Sequence, residues 1–135
     1  MSHSIFISHS SKDDKLFAAL IKSLRSAGVE VWDPAAELYP GDNWLAVTGR
    51  AMAQSDAVIF LFSKDAVESQ WVRREFEYAI TNPKFKNRVL PVFIGSPTKE
   101  FPWIARKLQP LQLPARISPE LAAKKIVEAL PAAVK

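Results

Sequence analysis

The sequence predicts an α/β fold, a five-stranded parallel sheet with helices on both faces. Strand-like and helix-like stretches alternate along nearly the whole chain, which is the pattern of a parallel sheet with crossover helices. Six consecutive apolar residues, Ala57-Val58-Ile59-Phe60-Leu61-Phe62, suit a strand buried on both of its faces. A length of 135 residues fits one domain, residues 1–135, with a sizeable core.

Taken in order, Ser4-Ile5-Phe6-Ile7-Ser8 is a short apolar run ending in small polar residues, a first strand. Ser11 stands three residues before Asp14, a capping-box spacing for a helix start. Phe17, Leu20, Ile21 and Leu24 give that helix its apolar stripe, and Gly28 suits the left-handed stop after it. Val29-Glu30-Val31-Trp32 alternates as a half-exposed strand does. The loop from Asp33 to Gly41 carries two prolines and ends in glycine, which predicts a defined turn. Asp42 or Asn43 then caps a helix with Trp44, Val47, Thr48, Ala51 and Met52 on one face, so Trp44 reads as core. Ser55-Asp56 breaks this helix before the central strand, Ala57 to Phe62.

The stretch from Ser69 to Ile80 reads as one amphipathic helix, with Val72, Phe76, Ala79 and Ile80 facing the core. Asn82-Pro83 ends it. Val89 to Ile94 is a fourth strand, and Pro91 inside it lacks a ladder donor, which predicts a bulge or an edge-side position. Residues 95–102 are loop, and Trp103 to Leu108 allows one or two helical turns. Leu111-Gln112-Leu113, between Pro110 and Pro114, allows a short fifth strand. Ser118-Pro119-Glu120 opens the last helix with a capping serine, proline at the first helical position and an acid in the first turn. That helix runs to about Ala129 or Leu130.

Composition narrows the function classes. No run approaches the ~20 apolar residues of a membrane span, and the start lacks the pattern of a signal peptide, so a cytoplasmic location with no membrane partner is expected. The absence of cysteine removes disulfides and thiolate zinc sites. A net charge of +4 is modest and scattered; the densest basic segment, Lys84-Phe85-Lys86-Asn87-Arg88, reads as a solvated face, so no nucleic-acid partner is expected. No His/Asp/Glu cluster has metal-ligand spacing, and no G-x-G-x-x-G or P-loop occurs.

One carboxylate stands out. Trp71, Glu75 and Tyr78 recur at i, i+4 and i+7, a second face beside the apolar stripe of their helix. Spacing alone favours a partly exposed Glu75 paired with a neighbouring Arg or Lys. Right-handed crossovers favour the flavodoxin-like strand order 2-1-3-4-5, whose switch point lies between strands 1 and 3, and ligands bind outside the carboxyl ends of such strands. The flanking loops are Ser8-His9-Ser10-Ser11 and Phe62-Ser63-Lys64-Asp65, and the Glu75 helix follows the second of them. Topology thus moves Glu75 towards a cleft. His9 stays open between a general base and a hydrogen-bonded structural residue.

Four motifs in sequence resemble those of TIR domains, the Toll/interleukin-1 receptor/resistance-protein fold. Ile5-Phe6-Ile7-Ser8-His9-Ser10 resembles their first box, and the loop ending Tyr39-Pro40-Gly41 resembles their BB loop. The third strand followed by Ser69-Gln70-Trp71-Val72-Arg73-Arg74-Glu75, and Leu90-Pro91-Val92-Phe93, resemble the third strand with its helix and the fourth strand. The resemblance covers roughly Ser4 to Leu130 and is most like bacterial members.

The resemblance implies an NAD⁺ nucleosidase that cleaves the nicotinamide–ribose bond, with NAD⁺ as substrate and no cofactor. The W-x-x-x-E pattern maps onto Trp71 and Glu75, making Glu75 the catalytic carboxylate and Trp71 an aromatic wall. Phe6, Ser8 and His9 are implied to line the nucleotide pocket. Trp32 and the loop from Asp33 to Gly41, Tyr39 included, are implied to flank the adenosine or nicotinamide half. Trp103 reads equally as a second stacking aromatic and as a core plug. Family behaviour also implies a homo-oligomer or filament, through contacts involving the Asp33 to Gly41 loop, and a role in bacterial anti-phage immunity. The alternative is a non-catalytic TIR–TIR signalling module or a virulence effector. The presence of both Trp71 and Glu75 favours the enzyme.

Overall fold

A computed structural model describes residues 3–32, 44–64, 66, 69–85, 87–95, 108 and 110–130. The expected loop from Asp33 to Gly41, its capping candidates Asp42 and Asn43, and all but the last residue of the turns from Trp103 to Leu108 lie outside them. So do the side chains of Trp44 and Val47.

Five strands, β1 (His3–Ser8), β2 (Val29–Trp32), β3 (Ala57–Phe62), β4 (Val89–Ile94) and β5 (Leu111–Leu113), form one sheet in the order β2-β1-β3-β4-β5. Every neighbouring pair is parallel. The strand order and the parallel pairing expected from sequence are both present. The described helices are α1 (Asp14–Ser26), α2 (Trp44–Gln54), α3 (Gln70–Thr81) and α4 (Pro119–Ala129).

Side-chain parity along the strands divides the core into two layers. Ile5, Ile7, Ile59 and Leu61 pack with Phe17, Leu20, Ile21 and Leu24 of α1 and with Ala122, Ala123 and Ile126 of α4. Phe6, Val58, Phe60 and Phe62 pack on the other face with Ala51 and Met52 of α2 and with Val72, Phe76 and Ala79 of α3. All six residues of β3 are buried, as their unbroken apolar run requires. Phe76 is the pivot of the second layer, meeting Phe60 and Phe62 edge-on at centroid distances of 5.1 and 5.3 Å. Such aromatic contacts hold α3 at one height on the sheet.

Local signals explain most element ends. Gly28 has φ +89° just past α1, in the left-handed region that suits glycine. Ser118 and Ser69 cap α4 and α3, each accepting a hydrogen bond from a backbone N–H of the first turn. One expectation changes and another resolves between its two alternatives. Ser11 does not cap α1; it opens a single 3₁₀ turn, Ser11–Asp13, and Asp13 stands at the cap position without a side-chain cap bond. The turn forms because Ser10 receives the N–H of Asp13 on its carbonyl and that of Lys12 on its hydroxyl, which shifts the helix start towards the C-terminus. Pro91 makes no bulge, since β4 runs in continuous register from Val58↔Val89 to Phe62↔Phe93. Its edge-side alternative stands: β5 begins opposite Val92, so among the described residues no strand flanks Pro91 on the side away from β3.

Capping at Ser69 sets where the Glu75 helix begins. Replacing Ser69 by alanine is expected to cost about 1 kcal/mol of stability, seen as a lower denaturant midpoint at unchanged m-value.

Candidate active site

The site is built where β1 runs out of apolar residues. Ser8 continues the face of Phe6 by period-two alternation, so its side chain enters the aromatic layer under α3. There Ser8 Oγ donates to Glu75 Oε1 at 2.6 Å. Ser8 is 2% and Glu75 3% exposed, so this contact is sealed from bulk water. Glu75 Oε2 has no hydrogen-bond partner among the described residues. The partly exposed Glu75 with an Arg or Lys partner, favoured by spacing alone, is therefore not what forms. Val72, Phe76 and Ala79 draw their helix so close to the sheet that the neighbouring carboxylate is carried inside with them.

Burial raises the carboxyl of Glu75 because the charged form loses its hydration, and the Ser8 hydrogen bond lowers it by favouring that form. Burial wins, pushing Glu75 up to about 7. A carboxyl pushed this far from its ordinary value, at a strand-end site, marks a candidate functional group.

Phe6 and Trp32 lie opposite each other in the β1–β2 register and stack at 5.4 Å. Trp32 is half-buried against the aromatic layer, whereas Phe6 is fully covered. Phe6, Ser8, Trp32 and Glu75 thus share one face of the sheet. His9 does not join them. Opposite parity sends its ring against Phe17 of α1, stacked at 3.6 Å, with Nε2 3.0 Å from Asp14 Oδ1. That geometry matches the structural alternative left open for His9. Trp71 lies one turn ahead of Glu75 on α3, with its side chain outside the described residues, as are Tyr39 and Trp103.

Sequence reasoning missed a tie across the two switch-point loops. Ser63, just past β3, donates its hydroxyl to Asp13 and accepts the N–H of Ala66. It also missed the pairing of Ser8 with Glu75, whose signal was a serine of core parity at the end of an apolar strand. A groove of about 730 Å³ between α1 and α4 lies on the opposite face and is lined by none of these residues. Among the described residues no group of three or more His, Asp or Glu side chains is arranged to hold a metal ion, and no helix is long and apolar enough to cross a membrane. Phe85 is 2% exposed, so the basic segment around it offers no aromatic surface for stacking on bases.

The raised carboxyl makes stability fall with pH. Below about 4.5 the group is protonated in both folded and unfolded chains; between there and about 7 only the folded chain keeps the proton. Its stabilising contribution is therefore full at low pH and lost as pH rises through about 7. The loss is on the order of 3 kcal/mol. Unfolding by denaturant at pH 5 and pH 8 is expected to show this difference in the parent protein and to lose it in Glu75→Gln.

Known proteins share sequence and fold with this chain. Over 93 residues the chain is 31% identical to NAD(+) hydrolase PdTIR of Paracoccus denitrificans (strain Pd 1222), covering 67% of this chain and 31% of that protein. It is 26% identical over 91 residues to a probable 2' cyclic ADP-D-ribose synthase, TcpO, of Methanobrevibacter olleyae, covering 67% of this chain and 27% of that protein. It is 29% identical over 100 residues to NAD(+) hydrolase TcpA of a Theionarchaea archaeon (strain DG-70-1), covering 73% of this chain and 30% of that protein. The chain thus spans under a third of the length of these relatives. A metazoan TIR-STING receptor from C. gigas has the same fold, with a TM-score of 0.73 at 21% identity over 93% of this chain and 38% of the receptor chain. A family model described as the TIR domain matches residues 5–127, and the chain belongs to the TIR-domain family.

Proposed function

We propose that this chain cleaves the nicotinamide–ribose bond of NAD⁺, with Glu75 as its catalytic residue. The observation that carries the reading is a single buried carboxyl beside the switch point of a parallel sheet, pushed up to about 7 and hydrogen-bonded through one oxygen only among the described residues. The names of the bacterial and archaeal relatives support it.

One carboxylate is enough for this reaction. The C1′–nitrogen bond breaks with its electron pair leaving on nicotinamide, which is cationic beforehand and becomes neutral, so no general acid has to protonate it. Positive charge then develops on the ribose, as in glycoside cleavage. An ionised Glu75 beside the ribose offsets that charge and accepts hydrogen bonds from its hydroxyls. Water adding at C1′ and losing a proton gives ADP-ribose; an internal nucleophile of the same molecule gives a cyclic isomer. The relative named as a cyclic ADP-ribose synthase supports including the second outcome. Trp32, and Trp71 one turn from Glu75, supply aromatic surface for planar rings in this reading.

Because Glu75 is only 3% exposed, substrate reaches it only after a covering group moves. That occlusion supports gating by self-assembly, with the loop from Asp33 to Gly41 as both gate and contact. Anti-phage immunity in a prokaryotic cytoplasm is the setting this proposal implies, and the bacterial and archaeal sources of the relatives support its prokaryotic part.

Glu75→Ala, shown folded by circular dichroism, is expected to lose roughly 10²–10³ or more in the rate of NAD⁺ consumption. Parent-level consumption by that variant overturns the assignment. Chromatography of the products separates ADP-ribose from a cyclic isomer. Specific activity should also rise with protein concentration, and a constant value across a dilution series removes the assembly gate.

A further inference from the structure

We infer that Ser8 is the positioning residue for Glu75: its hydroxyl fixes Oε1 and so leaves Oε2 as the oxygen presented to the reacting ribose. The inference rests on the NAD⁺-cleaving reading and goes beyond it by assigning separate work to the two carboxyl oxygens. It also takes Ser8 from the substrate pocket, where resemblance had it, and makes it act through Glu75.

Three observations carry it. The contact joins β1 to α3 across 67 positions of sequence at 2.6 Å, with both side chains buried, so its geometry is set by the packing of sheet and helix. Ser8 Oγ is the hydrogen-bond partner of Oε1, while Oε2 has none among the described residues. A carboxylate held by one donor through one oxygen cannot rotate freely, and its other oxygen keeps its lone pairs for a ligand. Among the described residues no charged or titratable group is a hydrogen-bond partner of Oε2. On the same helix Arg73, Arg74, Glu77 and Tyr78 are exposed. Across from it, the Tyr78 hydroxyl lies over Gly49 of α2, where an added Cβ would sit 3.7 Å away, and Arg50 is exposed. From the strand side, His9 is engaged with Asp14 and Asp13 with Ser63.

Removing the hydroxyl leaves Oε1 without its donor, which disfavours the ionised form further. In Ser8→Ala the acid limb of kcat/KM against pH is therefore expected to move up by about one to two pH units, the size of one hydrogen bond to a charged group. Activity at pH 6 falls roughly 10- to 100-fold and recovers towards the parent value at pH 9, with KM at high pH unchanged. Ser8→Thr keeps the hydroxyl and is expected to restore the parent limb. A readout independent of activity is the titration of Glu75 by carbon-13 carboxyl NMR, its resonance assigned with Glu75→Gln; it should shift upward in Ser8→Ala and not in Ser8→Thr.

An unshifted Glu75 titration in folded Ser8→Ala overturns the inference, as does a raised KM with an unmoved acid limb, which would make Ser8 a substrate contact. If the parent protein leaves NAD⁺ intact while the Ser8→Ala titration still shifts, the coupling of Ser8 to Glu75 stands and the catalytic reading falls. If the parent cleaves NAD⁺ and the titration does not shift, the catalytic reading stands and the positioning role of Ser8 falls.

Discussion

Strand β3 must bury both of its faces, and the remaining architecture follows from that demand. Six apolar side chains in a row leave no face for water, so layers of helix have to close over both sides of the sheet. One side is closed by aliphatic packing from α1 and α4, the other by an aromatic cluster centred on Phe60, Phe62 and Phe76. The aromatic side positions the site. Edge-to-face rings have specific geometry, so docking Phe76 into Phe60 and Phe62 settles the rotation and height of α3. Glu75, the residue before Phe76, is then taken below the surface, where Ser8 is its hydrogen-bond partner.

A buried carboxyl without a cationic partner among the described residues works against folding, and the rest of the core has to absorb its cost. Local conflicts of this kind concentrate at functional sites, where stability is given up for chemistry. Here the conflict is partly relieved by Ser8, which sits at the one place where the parity of β1 turns from apolar to polar inside the core. The same parity rule separates His9, one residue later, onto the α1 side. Two adjacent polar residues thus enter different layers, and only the first is available to Glu75.

The arrangement suits a reaction whose leaving group is already activated. A hydrolase that must protonate its leaving group needs two groups with pKa values pushed apart. The described site offers one carboxyl with a raised pKa, and a cationic leaving group asks for no more. The Asp13–Ser63 tie, meanwhile, links the two loops that flank the switch point, just past the ends of β1 and β3.

The sequence by itself determined the helix stripes and the alternation of strand and helix, which rest on local periodicity, and the handedness of crossovers narrowed the strand order to few choices. It also singled out Glu75 through spacing, topology and resemblance. It misjudged that residue's surroundings, and it placed the start of α1 at Ser11, where backbone bonds to Ser10 instead form a 3₁₀ turn. Only the tertiary structure decided that Glu75 is sealed, that Ser8 is its partner and that His9 is not. These are contacts between residues far apart in sequence, and helical spacing cannot report how deeply a neighbouring stripe sinks. That depth is set by the shape of the aromatic rings beneath α3, which exists only once the sheet and helix have met.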